Sequence, residues 1–322
     1  VPQSPIVLAL GEMSFELTSA ENRHFYLSLL NALSHFSRDW GVPLPELELA
    51  CDLTLPEFGF RLTILGQVRG EGAIKLGRWL ALGDPEVLAT LLGEPTVDPV
   101  YGLPARWIAT NLAQTAQSKG ALVLDSKTIL STMMMQRLTP LLGGLLQLDA
   151  LHVSLEFLAR TQPKLVETAR EQVGIAQILW ICRELLNEGV AIRSLDLILT
   201  GALEATPKHK SSRLEHARRR LGALVADRYL DSEGMLGAIQ IARWVERHFK
   251  QQLKLESGCD DWFFRLFCQD LEGAIAQSWE LGLQPVMVVD PALRRDLWQL
   301  LNRLYPDLAV LSWAEIDQFP VI

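Results

Sequence analysis

No two cysteines in the chain stand in C-x-x-C spacing. The four present, Cys51, Cys182, Cys259 and Cys268, outline no disulfide framework and read as reduced thiols in a cytosolic setting. Cys259 and Cys268 lie nine apart across Asp260, Asp261 and Trp262, a spacing that no standard metal or redox motif uses. Basic residues are outnumbered, 30 Lys and Arg against 38 Asp and Glu, for a net charge of −8. That argues against a general nucleic-acid binder, which needs a cationic surplus on one face. Long apolar runs are missing as well. The most apolar region, residues 138 to 159, contains Gln147, Asp149, His152 and Glu156, so it lacks the roughly 20 unbroken apolar residues of a spanning helix. The chain opens at Val1 without methionine, signal peptide or transit-like segment, and a fragment is expected.

Catalytic signatures are also absent. Six histidines, His24, His35, His152, His209, His216 and His248, are scattered, and there is no G-x-S-x-G, H-E-x-x-H, Walker loop or G-x-G-x-x-G after a strand. His209 and His216 are seven apart, but Lys210, Arg213 and Arg218 around them disfavour a cation. Residues 66–72, rich in glycine, lack the Lys-Ser/Thr of a phosphate loop and read as a hairpin turn. Asp260 and Asp261 are adjacent, so on a helix they diverge, and they read as a helix-terminal cap near Gly258. No catalytic residue, cofactor or metal is therefore expected. The alternative is an α/β enzyme using the carboxy-terminal unit, with a ligand at strand ends such as Val289-Asp290.

At 322 residues, 49% hydrophobic and 21% charged, the chain is ordinary globular material for two or three domains. A strand at 6–10, a helix from about Ala20 carrying Phe25, Leu29, Leu33, Phe36 and Trp40, and two alternating strands at 47–55 and 58–64 make a β-α-β-β pattern. The alternation places Cys51 on a buried face. Asp84-Pro85 reads as cap and first residue of a short helix, and a strand is expected at 121–124. Residues 147 to 206 read as all helix, with Ile175, Ile178, Leu179, Cys182, Leu185 and Leu186 in one stripe that makes Cys182 a core thiol. The polar run 206–212 is a candidate linker. Arg213, Arg218, Arg219 and Arg220 make a basic helix, read as a solvated face or as a docking site for an acidic partner. Strands at 235–241, 285–289 and 308–311, with a helix capped by Asp290, complete an α/β unit with a parallel pair. The expected fold is α+β with several subdomains. A ferredoxin-like β-α-β-β first subdomain spans 1–86 plus about 131–146, and a small α/β insert spans 87–130. A helical subdomain spans 147–210 and a carboxy-terminal α/β subdomain 211–322.

The segment of greatest interest runs from Asp98 to Ile108. Proline restricts itself and the residue before it, so Asp98-Pro99 and Leu103-Pro104 stiffen a turn that carries Tyr101 and Trp107. Such a turn is either structural, plugging Trp107 and Ile108 into the core, or a recognition surface. It resembles the D-P-x-F/Y-G-L-P-A-x-W-I signature in the cytoplasmic domain of the type III secretion and flagellar export-gate (FHIPEP) family. Further blocks follow in order. Residues 128–134 resemble T-V-x-x-T-H-L, with Met133 and Met134 in place of His and Leu; residues 163–167 match P-K-L-V-E; residues 185–195 resemble L-L-x-E-x-V-x-I-R-D-L; and 285–289 to 311–312 resemble the carboxy-terminal unit.

The resemblance implies a non-enzymatic docking platform, the cytoplasmic domain of an inner-membrane export gate whose amino-terminal transmembrane half is absent from this chain. It implies a ring, expected to be nonameric, at the cytoplasmic face of the bacterial inner membrane. Its implied partners are chaperone–substrate complexes and the gatekeeper and ATPase-stalk components, with no nucleic acid. Cargo would dock in a cleft between the first subdomain and the insert, at Asp98, Tyr101 and Thr132. Met133 to Met135 read either as an adaptable cargo surface or as a buried helix face. The residues Gly11-Glu12-Met13-Ser14-Phe15 and Gln147-Leu148-Asp149-Ala150, where flagellar members have other motifs, favour a virulence injectisome member. The alternatives are a flagellar counterpart and a purely structural ring component.

Overall fold

The computed structural model describes residues 4–15, 23–75, 77–205, 210–252 and 261–317. The chain divides into two compact units, Val1–Ser154 with Cys182–Arg193, and Leu155–Ile181 with Ser194–Ile322.

The first unit holds two sheets. In one, β1 (Ile6–Leu10) is central, with β2 (Leu47–Cys51) parallel on one side and β3 (Gly59–Ile64) antiparallel on the other; β4 (Gln67–Ala73) pairs with β3 at the edge. Alternation along β1 and β3 puts Ile6, Leu8, Leu10, Phe60, Leu62 and Ile64 inside, none more than 1% exposed. A short α1 (Glu12–Phe15) follows β1, and α2 (Arg23–Trp40) crosses over to β2, burying Phe25, Leu29, Leu33 and Phe36 at helical spacing. The expected β-α-β-β order is present. Its sheet is not ferredoxin-like, because β1 and β2 are direct neighbours, whereas a split β-α-β unit keeps a strand between its parallel pair.

Two further expectations are corrected here. Strand β2 ends at Cys51, which is exposed, and Leu53 beyond it is 76% exposed. An edge strand is covered on too little of its length for alternation to decide burial. The glycine-rich segment is strand β4 itself, and the turn is Leu65-Gly66. Its glycines serve close packing, since a Cβ at Gly70 would stand 2.9 Å from Met133 Sδ.

The second sheet, in the order β6-β7-β5-β8, comprises β5 (Arg78–Leu82), β6 (Glu94–Val97), β7 (Pro104–Ala109) and β8 (Leu122–Leu124). It begins upstream of residue 87, where the insert is expected to start. Helices α3 (Pro85–Ala89) and α4 (Ala113–Ser118) accompany it, with Ala81, Leu88, Ile108, Ala116 and Val123 in its core. Asp84 caps α3, its carboxylate accepting the Glu86 N–H at 2.9 Å with Pro85 at the first position. Trp107 and Ile108, on opposite faces of β7, are both buried. Helix α5 (Ser126–Leu138), capped by Asp125, packs on α2 and β4, with Met133 and Met134 fully buried. That is the buried-face alternative for these methionines. A bend through α6 (Leu142–Leu145) leads to α7 (Leu148–Ala159). No single helix among the described residues is long and apolar enough to cross a membrane; segments 126–145 and 148–159 pass by length and composition together but meet at 86°.

The second unit contains α8 (Pro163–Gln172) and the first half of α9 (Ile175–Asn187); Cys182, in the half that belongs to the first unit, is buried, its thiol pushed up to about 12 by desolvation. Helix α10 (Leu195–Glu204) packs tightly on α11 (Lys210–Arg220), where a Cβ on Gly201 would meet Ala217 Cα at 2.6 Å. The candidate linker falls largely outside the described residues, as do His209, Gly258, Cys259 and Asp260. The basic helix is engaged inside the unit. Arg218 pairs with Glu315 at 2.7 Å, both buried; Arg220 pairs with Glu204; and Arg213 donates to Gln172 O at 2.9 Å. After α12 (Gly222–Ala226), a parallel sheet β11-β10-β9 forms from β9 (Ile239–Gln240), β10 (Val286–Val289) and β11 (Ala309–Ser312). It is flanked by α13 (Arg243–Gln252), α14 (Asp261–Glu280), α15 (Arg294–Leu301) and α16 (Trp313–Ile316). Strand β9 is much shorter than the expected 235–241, because Met235 and Leu236 are tied back to the preceding turn, Met235 N–H donating to Asp231 Oδ1 at 2.8 Å and Leu236 bridging to Leu230. Helix α15 starts at Arg294, later than expected. Asp290 instead closes a turn around Pro291, accepting the Ala292 N–H at 2.9 Å.

Candidate functional site

Strands β6 and β7 form a hairpin whose last pair is Val97↔Pro104, so residues 98–103 are its loop. Pro99 holds Asp98 extended, and three hydrogen bonds close the turn. Asp98 N–H donates to Leu103 O at 2.8 Å, Gly102 N–H to Asp98 O at 2.9 Å, and Tyr101 N–H to Asp98 Oδ2 at 2.7 Å. Gly102 sits at φ +71, where a side chain would be strained. The loop rests on β4 at Gly72. A Cβ there would come within 2.9 Å of Pro99 Cβ and 2.8 Å of the Phe60 ring, so only glycine admits the approach.

Beside this turn lies a cleft of about 730 Å³, walled by Glu71, Gly72 and Ala73 of β4, by Thr96 and Val97 of β6 with the turn through Gly102, and by Gln136 and Arg137 near the end of α5. Asp98 is 1% exposed, so it is a buried acid and not a surface one. Its Oδ2 organises the turn, while its Oδ1 has no hydrogen-bond partner among the described residues. The same holds for Gln136 Oε1 and Arg137 Nε, both buried in the wall of the same cleft. Each such atom costs about 1–3 kcal/mol unless a water or another polar group meets it, and three of them lie in one cleft. Arg137 Nη2 donates to Val100 O at 3.4 Å, a long bond, and Glu71 pairs with Arg61 at 2.5 Å. Tyr101 on its stiff loop and Val97 before it are each 62% exposed beside the cleft.

Of the residues singled out in the sequence, the cleft brings together Asp98 and Tyr101. Thr132 is half-buried and does not line it, standing one helical turn before Gln136 on α5. Gln136, Arg137 and the edge of β4 were not legible as site residues; the only hint was that Gln136 follows Thr132 by four positions. Among the described residues, no group of three or more His, Cys, Asp or Glu is placed to hold a metal ion. At the strand end where an enzyme would bind its ligand, Asp290 is engaged by Lys250 at 2.7 Å, which holds its carboxyl below the ordinary value.

A family model described as the FHIPEP family matches residues 1–319. The flagellar biosynthesis protein FlhA of Yersinia enterocolitica is 28% identical over 318 residues, 98% of this chain and 46% of that protein, so the chain spans under half the length of this curated relative. The CdsV protein of Chlamydia pneumoniae has a similar structure at 17% identity, with a TM-score of 0.83 over 98% of this chain and 96% of that one; CdsV in its complex with CdsO matches at 0.80. The nonameric SctV-C of EPEC matches at a TM-score of 0.73 and 15% identity, over 98% of this chain and 96% of that one. Those likenesses establish the mixed α+β fold. Because the family's sequence pattern runs almost end to end, through the Asp98 turn and both units, the chain belongs to the FHIPEP family.

Proposed function

We propose that the chain is the cytoplasmic docking platform of a type III export gate, a non-enzymatic domain that receives chaperone–substrate complexes in the cleft beside Asp98 and Tyr101. The observation that carries this reading is the cleft itself. A stiff loop holds an aromatic outward over buried polar atoms that lack partners. Rigid aromatics supply contact area at little entropic cost and commonly dominate an interface. Thr132 belongs to this site as a neighbour of Gln136. The nonameric assembly of SctV-C supports a ring of nine copies, and the complex of CdsV with CdsO supports a further partner from the export apparatus, with gatekeeper and stalk components in that class. The ring would sit at the cytoplasmic face of the bacterial inner membrane, joined to a membrane-embedded half in the full-length protein. We place it in a virulence injectisome. A flagellar counterpart is the second reading, favoured by the 28% identity with FlhA.

The test is titration of the chain with a secretion chaperone loaded with its cargo. Tyr101→Ala should weaken binding about tenfold, and Asp98→Ala should weaken it at least as much. Binding that ignores both substitutions rejects the docking assignment.

A further inference from the structure

The walls of the cleft are two sheet edges. In the β3–β4 pair, Ile74 N–H donates to Phe58 O at 2.8 Å. Antiparallel pairs alternate, so Phe60↔Gly72 and Leu62↔Gly70 are the hydrogen-bonded pairs, and the N–H and C=O groups of Glu71 and Ala73 face the free edge of β4. In the β6–β7 pair, Asp98 N–H donates to Leu103 O, which by the same alternation turns only Pro95 and Val97 outward on β6. Pro95 has no N–H, so β6 is a blunted edge and β4 an open one. Free main-chain donors and acceptors at strand spacing match one class of ligand, another polypeptide in extended form.

We propose that the cleft receives an extended peptide segment of the docked partner, added as a strand to the free edge of β4, with one basic side chain seated against Asp98 and Gln136. The charge pattern selects that side chain. Asp98 Oδ1 and Gln136 Oε1 are both acceptors without a donor among the described residues, where Asp98 forms no ion pair, while Glu71 is already paired with Arg61. Arg137 lines the same cleft, so it repels a basic run and admits a single cation; its own Nε offers a donor to a peptide carbonyl. The proposal rests on the docking reading above and specifies how the partner is held.

The test uses the 322-residue chain and a synthetic acetylated, amidated peptide of alternating Thr and Val with one central Arg. Two controls accompany it, the same peptide with Gln for Arg and the same peptide N-methylated at alternate residues. Expected are shifted and exchange-protected amides at Glu71 and Ala73 in NMR spectra, and an affinity loss of about tenfold for the Gln peptide. N-methylation should abolish binding. Asp98→Asn keeps an acceptor for Tyr101 N–H but removes the carboxylate, and it should erase the preference for Arg. Unchanged amides at Glu71 and Ala73, equal binding of the N-methylated peptide, or an Arg preference that survives Asp98→Asn each overturn the proposal. The chaperone–cargo titration with Tyr101→Ala separates the two ideas. If it shows weakening while the peptide leaves β4 untouched, the strand mode falls and docking stands; if it shows none, docking falls.

Discussion

The dipeptide Asp-Pro opens two turns in the first unit, and the two have opposite fates. At Asp84-Pro85 one carboxylate oxygen accepts the Glu86 N–H at 2.9 Å and caps α3, and the side chain is exposed, so its other oxygen meets solvent. At Asp98-Pro99 one oxygen likewise accepts a main-chain N–H, that of Tyr101 at 2.7 Å, but the side chain is 1% exposed and the other oxygen has no partner. Local chemistry is nearly the same in both. What differs is the wall around the second oxygen, built by Gly72 of β4 and Gln136 of α5. The difference teaches that a motif specifies a turn, while its neighbours in space decide whether the second oxygen meets solvent, a cation or no partner. Asp290-Pro291 in the second unit shows a third outcome, with Lys250 meeting the free carboxylate at 2.7 Å.

The comparison breaks most completely at Gly72. Gly72→Val should push Phe60 and Pro99 apart, cost about 1–3 kcal/mol in a denaturant titration, and remove cargo binding with it. Next comes the pair of aspartates. Asp98→Ala leaves the Tyr101 N–H without its acceptor and should cost about 1–3 kcal/mol along with cargo affinity. Asp84→Ala should cost about 1 kcal/mol of thermal stability and leave affinity unchanged. If both aspartates behave alike, the distinction between them is lost. Tyr101→Ala should shift unfolding by less than about 0.5 kcal/mol, because the side chain is mostly exposed, while still lowering cargo affinity.

The smallest effect concerns Asp290. The hydrogen bond from Lys250 keeps its folded pKa below the ordinary 3.8, so the pair's contribution is present above that value and is lost as pH falls through the folded pKa. Asp290→Asn should flatten the acid side of a stability–pH profile below about pH 4, weakly, since the pair is half-exposed. An unchanged profile would show that the pair adds nothing.

Period and punctuation made most elements legible. The 3.6-residue spacing of Phe25, Leu29, Leu33 and Phe36 and the alternation of Phe60, Leu62 and Ile64 correspond to observed faces, as does the cap at Asp84. Local signals failed where the outcome depends on a partner distant in sequence. Cys51 alternates correctly yet is exposed at the end of an edge strand, where burial depends on packing and not on alternation. The arginines of α11 read as a surface run, but Arg218 found Glu315 almost a hundred residues on. In the cleft, proline and glycine announced the turn, and the family resemblance singled out its Asp98 and Tyr101. Gln136 and Arg137 were not legible, since nothing in a helix sequence says which residue will face a hairpin from another sheet.

By itself the sequence determined the family, the stiffness of the Asp98 turn and the absence of recognised catalytic motifs, because backbone restriction by proline and residue spacing are properties of neighbours along the chain. Tertiary structure alone decided that Asp98 is buried with an unmet oxygen, that β4 presents an open edge beside it, and that Tyr101 stays mostly exposed. Burial and hydrogen-bond satisfaction depend on what packing brings together, and that is set across gaps of tens of residues.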